Sequence, residues 1–424
     1  MRVLYTLLFY LALPAVLARL YWRGIKAPQY RQRWHERLGV YAPRTFKPLI
    51  WLHAVSVGEV EAAAGLVRWL LSQYPEHGIL VTTTTPTGSS RVQALFGGQV
   101  EHVYLPYDLP PVVECFLAHF QPQCAVFMEK ELWPNLFAAC QKKAIPLYVV
   151  NARLSAQSAR AYLKIPALIQ PTLACITTIA AQTDDDRDRF IEIGAQPEQV
   201  QVLGNLKFDL PIDKALLDEG TALNRRLFGE RFVWILASTH GDEEAQLLRV
   251  YRQLKPSIPT LLCMIAPRHP ERFDVVDSLC REQGYAVVRR SSGQPVTSNT
   301  DIYLADSLGE LKLLYAAADV AFVGGSLVSV GGHNVLEPAV IGVPVIFGPW
   351  MFNFQDIADR MRVLGAAIQC HSAYAVGEAV MKLHDDREER QHLVRQALAF
   401  VQQNQGSLAR IAALLSAALE VQIP

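Results

Sequence analysis

Three stretches of the chain hold residue types that do chemistry. The richest runs from Gly324-Gly325-Ser326 through Gly331-Gly332-His333-Asn334 to Val335-Leu336-Glu337. Glycine pairs let another group approach the main chain closely. Asn334 suits the cap of a following helix, whose free N–H groups then make an anion site without a P-loop lysine. Glu337, three residues on, either completes a capping box or accepts hydrogen bonds from a ribose diol. Phosphate at a helix N-terminus, with a carboxylate one turn in, suits a nucleotide sugar. The second stretch is Ala266-Pro267-Arg268-His269-Pro270-Glu271-Arg272. Here Arg268 can fork onto phosphate oxygens, or pair structurally with Glu271. In the third, Ser56-Val57-Gly58-Glu59, a turn enters a helix with a carboxylate in its first turn. That carboxylate is either a favourable charge at a helix start or a general base lifted toward working pH by partial burial.

Two features are discounted. Asp184-Asp185-Asp186 resembles a D-x-D metal motif, but Thr183 before it and Arg187-Asp188-Arg189 after it predict the acidic first turn of a capped helix. No metal site is expected. His53 lies inside an apolar run and reads as a core histidine rather than a ligand.

These residues must be positioned by something. "PLIWLHA" (48–54), "GILVTTTT" (78–85), "CAVFME" (124–129), "IPLYVVNAR" (145–153) and "ACITTIAAQ" (174–182) read as buried strands. The pattern restarts after Leu210 with "FVWILAST" (232–239), "TLLCMIAPRH" (260–269), "YAVVRRS" (285–291), "DVAFVGGS" (319–326) and "VPVIFG" (343–348). β-Branched runs bounded by Gly and Pro, alternating with amphipathic helices, predict parallel sheets with crossover helices. The chain of 424 residues is long enough for two such halves. Ligands of open α/β sheets bind beyond the carboxyl ends of the strands. The stretches above sit at those ends.

Composition narrows the classes. Forty basic and forty acidic residues give a net charge of zero, so no nucleic-acid partner is expected. Seven scattered cysteines without a C-x-x-C pair predict reduced thiols rather than disulfides or zinc. The first residues are apolar from Val3 to Ala18, and Arg19, Arg23, Lys26, Arg31, Arg33 and Arg37 follow against one acid, Glu36. A cleaved signal peptide and a buried helix are alternatives. The basic flank favours an N-terminal membrane anchor held at the cytoplasmic face by anionic headgroups.

Taken together, "HAVSVGE", "ELWPN", "NARLS", "GNLKFD", "APRHPER", "GELKLLYAAADVAFVGGSL" and "GGHNVLEPA" resemble the Kdo (3-deoxy-D-manno-octulosonic acid) transferases of Gram-negative lipopolysaccharide synthesis. The resemblance covers nearly the whole chain. It implies a GT-B fold, two Rossmann-like domains facing across a cleft, with an N-terminal membrane-anchor helix. The expected domains are an anchor over 1–22, an acceptor-side domain over 23–210, and a donor-side domain over 211–424 whose last helix packs back on the first. The resemblance also implies a CMP-Kdo donor, a lipid A precursor as acceptor, inner-membrane phospholipid as surroundings, and no metal or cofactor. Position by position, it makes Glu59 the general base. It gives Glu129 and Lys207 a supporting role in the transition state. It assigns CMP binding to Pro267, Arg268, Leu308, Gly309, Glu310, Asn334, Val335, Leu336 and Glu337. Val335 stands where the family often has proline, and "STHGDEE" departs from the usual "STHEGEE", so His240 and Glu244 receive no role. A GT-B transferase using a UDP-sugar on a lipid acceptor is the first alternative. A two-lobed periplasmic solute-binding protein is the second.

Overall fold

The computed structural model describes residues 1–44, 47–210 and 213–420. The expected domain start at residue 211 and the chain end at 424 lie outside the described residues. The first sheet contains β1 (Leu49–His53), β2 (Gly78–Thr83), β3 (Glu101–Tyr104), β4 (Cys124–Met128), β5 (Leu147–Ala152), β6 (Thr178–Ala181) and β7 (Val200–Val202). The second contains β8 (Phe232–Thr239), β9 (Leu261–Pro267), β10 (Val287–Arg289), β11 (Ile302–Leu304), β12 (Val320–Val323), β13 (Val345–Phe347) and β14 (Ile368–Gln369). Strand order is β3-β2-β1-β4-β5-β6-β7 in one and β10-β11-β9-β8-β12-β13-β14 in the other. Every pairing is parallel. Helices cover both faces, so β1, β4, β5 and β9 are buried along their whole length. That is why they read as continuous apolar runs instead of alternating ones.

Each sheet has one place where the strand order reverses. In the first this is β1 beside β4, and in the second β8 beside β12. Loops leaving two neighbouring strands in opposite directions open a crevice there. Glu59 follows β1 and Glu129 follows β4. His240 follows β8, and Gly324 follows β12.

The chain divides into two compact units, Met1–Asp209 with Gln405–Pro424, and Leu210–Asn404. Helix Ser407–Glu420 therefore belongs with the first sheet. Its Ile411, Leu415 and Leu419 share a core with Ile50, Val60 and Leu66. The Asp209 carboxylate fixes the return by accepting the N–H groups of Gly406 and Leu408 at 2.6 and 2.7 Å.

The N-terminal helix runs Arg2–Lys26 without a break at Pro14. It is the one helix among the described residues long and apolar enough to cross a membrane. Two members of its basic flank turn out to be structural. Arg33 pairs with Glu36 at 2.6 Å, and buried Arg37 donates to the Thr84 carbonyl at 2.8 Å.

Candidate active site

In the first unit the site is built from three strand ends. Glu59 lies in the first turn of helix Val57–Gln73 and is only 9% exposed. Its carboxylate accepts the Val55 N–H at 2.7 Å and the Ser56 hydroxyl at 3.3 Å. Glu59 thus bonds groups at the helix start and is also buried. Burial, then the charge of Glu129, push its carboxyl up to about 8, against the pull of those two hydrogen bonds. A β-carbon at Gly58 would meet no atom within 4 Å, so space is open around that neighbouring position.

Glu129 follows β4 with φ at +60°, a left-handed conformation that is rare outside glycine. Its N–H bonds the Val150 carbonyl of β5 at 3.0 Å, which holds this turn against the neighbouring strand. Its carboxylate lies 3.8 Å from the Lys207 ammonium. Lys207 sits in the short turn Leu206–Phe208. That turn is set by two asparagines, with Asn205 accepting the Lys207 N–H and buried Asn151 accepting the Leu206 N–H, both at 2.9 Å. The structure therefore brings Glu59, Glu129 and Lys207 together. Glu131 joins them, its carboxyl also raised by burial. A carboxyl held near neutrality, beside a lysine-paired carboxylate, can accept a proton from a sugar hydroxyl.

The second unit gathers a different set. Pro267 ends β9, and the exposed Arg268 follows it. Arg268 is anchored through its N–H to the Thr239 carbonyl at 3.1 Å. No ion pair engages its guanidinium among the described residues; it is Arg272 that pairs, with Glu244, at 3.0 Å. His240 and His333 share a hydrogen bond of 2.8 Å between their Nε2 atoms, and His269 meets the His240 ring edge-on. Burial first, then the Arg268 charge, push His333 down to about 3. His240 is lowered by burial, then by His269 and Arg268. Both imidazoles are neutral near pH 7, so one donates and the other accepts. An arriving anion would meet Arg268 and raise the proton affinity of this pair.

Asn334 lies one residue before Val335, the N-cap of helix Leu336–Ile341, with its side-chain oxygen accepting the Leu336 N–H at 3.0 Å and its amide 3.4 Å from Glu337. Val335 and Leu336 are fully buried. Leu308 is exposed, and Gly309 has φ at +83°. Glu310 is clamped by Arg290 through two bonds of 2.6 Å, which lowers its carboxyl to about 2.

The glycine pairs have a structural reason that differs from the expected one. A β-carbon on Gly324 would stand 2.6 Å from the Ser238 carbonyl oxygen. The bare position lets the loop after β12 lie against the end of β8, and approach by a ligand is not required to explain it. Sequence reasoning also missed the residue that joins these loops. Glu243 is fully buried, and its carboxylate accepts N–H groups from His240, Gly325, Ser326 and Leu327 at 2.7–3.0 Å. Its sequence signal is a glutamate three residues after the histidine that ends a strand. Arg290 and Asn151 carried no such signal. His53 bonds Thr82 through Nδ1 at 2.9 Å in the core. Of the three aspartates, Asp184 and Asp185 pair with Arg187 and Arg189, and buried Asp186 accepts the Leu154 N–H.

Two parallel seven-stranded sheets, each with candidate site residues beyond the carboxyl ends of its strands, define a GT-B fold of two Rossmann-like units. Solved UDP-N-acetylglucosamine 2-epimerases share this fold. That of Neisseria meningitidis is 15% identical and covers 88% of this chain and 100% of its own, with a TM-score of 0.56. A family model described as 3-Deoxy-D-manno-octulosonic-acid transferase (kdotransferase) matches residues 32–210. The 3-deoxy-D-manno-octulosonic acid transferase of Haemophilus influenzae is 41% identical over 99% of both chains. That of Bordetella pertussis is 38% identical over 88% of both. The chain belongs to the Kdo transferase family and is a glycosyltransferase.

Proposed function

We propose that the protein transfers Kdo from CMP-Kdo to a lipid A precursor (lipid IVA), with inversion and without a metal ion, at the cytoplasmic face of the inner membrane. The observation that carries this reading is the Glu59 carboxyl, buried and poised near pH 8 beside Glu129 and Lys207. In its ionised form Glu59 takes the proton from an acceptor hydroxyl as that oxygen attacks C2 of Kdo. The bond from C2 to the phosphate oxygen breaks, and CMP leaves with the electron pair. Direct displacement inverts the anomeric centre. Charge then grows on a single phosphate, which Arg268 and the His240–His333 pair would stabilise on the donor side, while Lys207, paired with Glu129, would support the transition state on the acceptor side. A monophosphate leaving group gives a divalent ion less to do than a diphosphate does. Glu337 would accept from the ribose diol. The donor-side segments are Pro267-Arg268, Leu308-Gly309-Glu310 and Asn334–Glu337, and the 23–210 and 211–424 halves act as acceptor and donor domains, the last helix packing with the acceptor side.

The test is direct. Purified protein incubated with CMP-Kdo and a lipid A precursor should give a product heavier by Kdo, unaffected by chelators. Turnover of UDP-sugars in place of CMP-Kdo would overturn the donor assignment.

A further inference from the structure

We infer that the N-terminal helix Arg2–Lys26 lies in the plane of an anionic phospholipid surface, tied near both ends to its own unit, rather than passing through the bilayer. The inference deepens the membrane reading above and rests on it. Length does not decide the matter. Twenty-five residues extend about 37 Å, and a hydrocarbon core is about 30 Å thick. What decides it is where the helix is attached.

Both ends are tied to the same unit. Near the start, the Tyr5 hydroxyl bonds the Asp108 carboxylate. Thr6 Oγ1 lies 3.1 and 3.0 Å from the Asn135 amide atoms. The Phe9 ring stands 6.2 Å from that of Tyr107. Near the end, Tyr21 meets Trp34 at 6.4 Å, Arg23 lies over Tyr30 at 5.4 Å and Arg31 over Tyr21 at 4.1 Å. The segment carrying Tyr30 and Trp34 is itself fastened to the sheet, since Glu36 accepts the Tyr104 N–H and Arg37 donates to Thr84. Between the two ends, Leu13, Leu17 and Leu20 continue the less exposed stripe of Tyr5, Thr6 and Phe9 at helical spacing. Tyr5 and Tyr21 are separated by about 24 Å along the axis. A helix standing across the bilayer would therefore pull that flank of the unit into hydrocarbon. The flank includes the Asp108 carboxylate, which accepts N–H groups from Asn135 and Leu136. Polar loops at that depth cost several kcal/mol per unsatisfied group.

The outward face fits a lipid surface. Val3, Leu7, Leu8, Leu11, Trp22 and Ile25 are each more than half exposed. Arg2, Arg19, Arg23 and Arg31 are exposed too, and no acid precedes Glu36. Apolar bulk with an arginine fringe and interfacial aromatics matches an acyl boundary under anionic headgroups. The docking has a consequence for the site. Asn135 begins the helix that follows Glu129 and Glu131, so the lipid-seated helix holds the junction next to the proposed base.

The test uses full-length Thr6→Cys/Asn135→Cys, with exposed Cys115 and half-buried Cys175 replaced by serine. It is bound to phosphatidylethanolamine–phosphatidylglycerol vesicles. The disulfide should close in the vesicle-bound protein, and the oxidised protein should stay bound. Single spin labels at Leu7, Leu8, Leu11 and Trp22 should report shallow depths that oscillate with the helical period. Binding to phosphatidylcholine vesicles should be about tenfold weaker or more. A disulfide that closes only after detergent extraction overturns the inference, as does a depth that changes steadily along the helix. Equal binding to both vesicle types overturns its anionic part. A dimer whose labels are shielded from lipid and water alike replaces the membrane with a second copy and overturns it as well. Kdo transfer by the unoxidised protein in micelles reads the proposed activity separately, so the two readings can fail independently.

Discussion

At the residue scale, Glu59 carries the sharpest expectations. Glu59→Gln keeps an oxygen for the Val55 N–H but cannot take a proton. Turnover should fall about 10²–10⁴-fold while CMP-Kdo affinity holds, measured by steady-state kinetics beside donor titration. The wild-type rate should rise with pH toward about 8, because the base must lose its proton. Stability should run the other way. The fold raises this carboxyl above its unfolded value, so it binds the proton more tightly than the open chain does. That contribution is complete below the ordinary carboxylate range and is lost as pH rises through about 8. The melting temperature of Glu59→Gln should therefore fall less between pH 5 and 9 than that of the wild type. Near-normal turnover would remove Glu59 from the mechanism. Arg268→Ala should cost about 2–4 kcal/mol in kcat/KM with an unchanged melting temperature, because the guanidinium is exposed and makes no ion pair among the described residues.

At the element scale, Glu243 is the joint between the loops after β8 and β12. Glu243→Ala should leave four N–H groups, two of them buried, without an acceptor and destabilise the second unit by about 3 kcal/mol. Glu243→Gln is the informative variant. Its amide group must face N–H donors where an oxygen had accepted them, so the Gly325–Leu327 loop should shift. The expected result is a raised KM for the donor with a smaller change in kcat. Equal losses in both, matched by a fall in folded protein, would show a purely structural role. Elements also show where legibility stopped. Ten strands could be read from apolar runs. Four could not, namely β3, β7, β11 and β14, which have two to four residues each and lie away from the sheet centre or at its edge. Runs that short carry little periodicity, and their pairing supplies the signal instead.

At the scale of the whole molecule, the chain leaves its first unit at Asp209 and returns to it at Gln405. Removing residues 405–424 should strip Ile411, Leu415 and Leu419 from the core around Ile50 and Val60. The expected outcome is selective loss of the first unit. Calorimetry should show its transition lowered by many degrees, or absent, with that of the second unit retained. Two unchanged transitions would mean that the last helix is dispensable.

The sequence by itself determined the fold class, because buried parallel strands are written as apolar runs and crossover helices as amphipathic ones. It also marked the candidate site, because Gly, Pro, Arg, His and carboxylates cluster where strands end. Only the tertiary structure decided what those residues touch. Glu59 owes its raised carboxyl to burial and to Glu129, which lies far along the chain. Arg33 and Arg37, which read as headgroup contacts, are committed to Glu36 and Thr84. Gly324 is bare because the backbone of Ser238 lies against it, and Glu243 bonds the main chain of the same loops. Spacing along a chain can place a residue at a strand end, but burial and charge proximity are properties of neighbours brought together from distant segments.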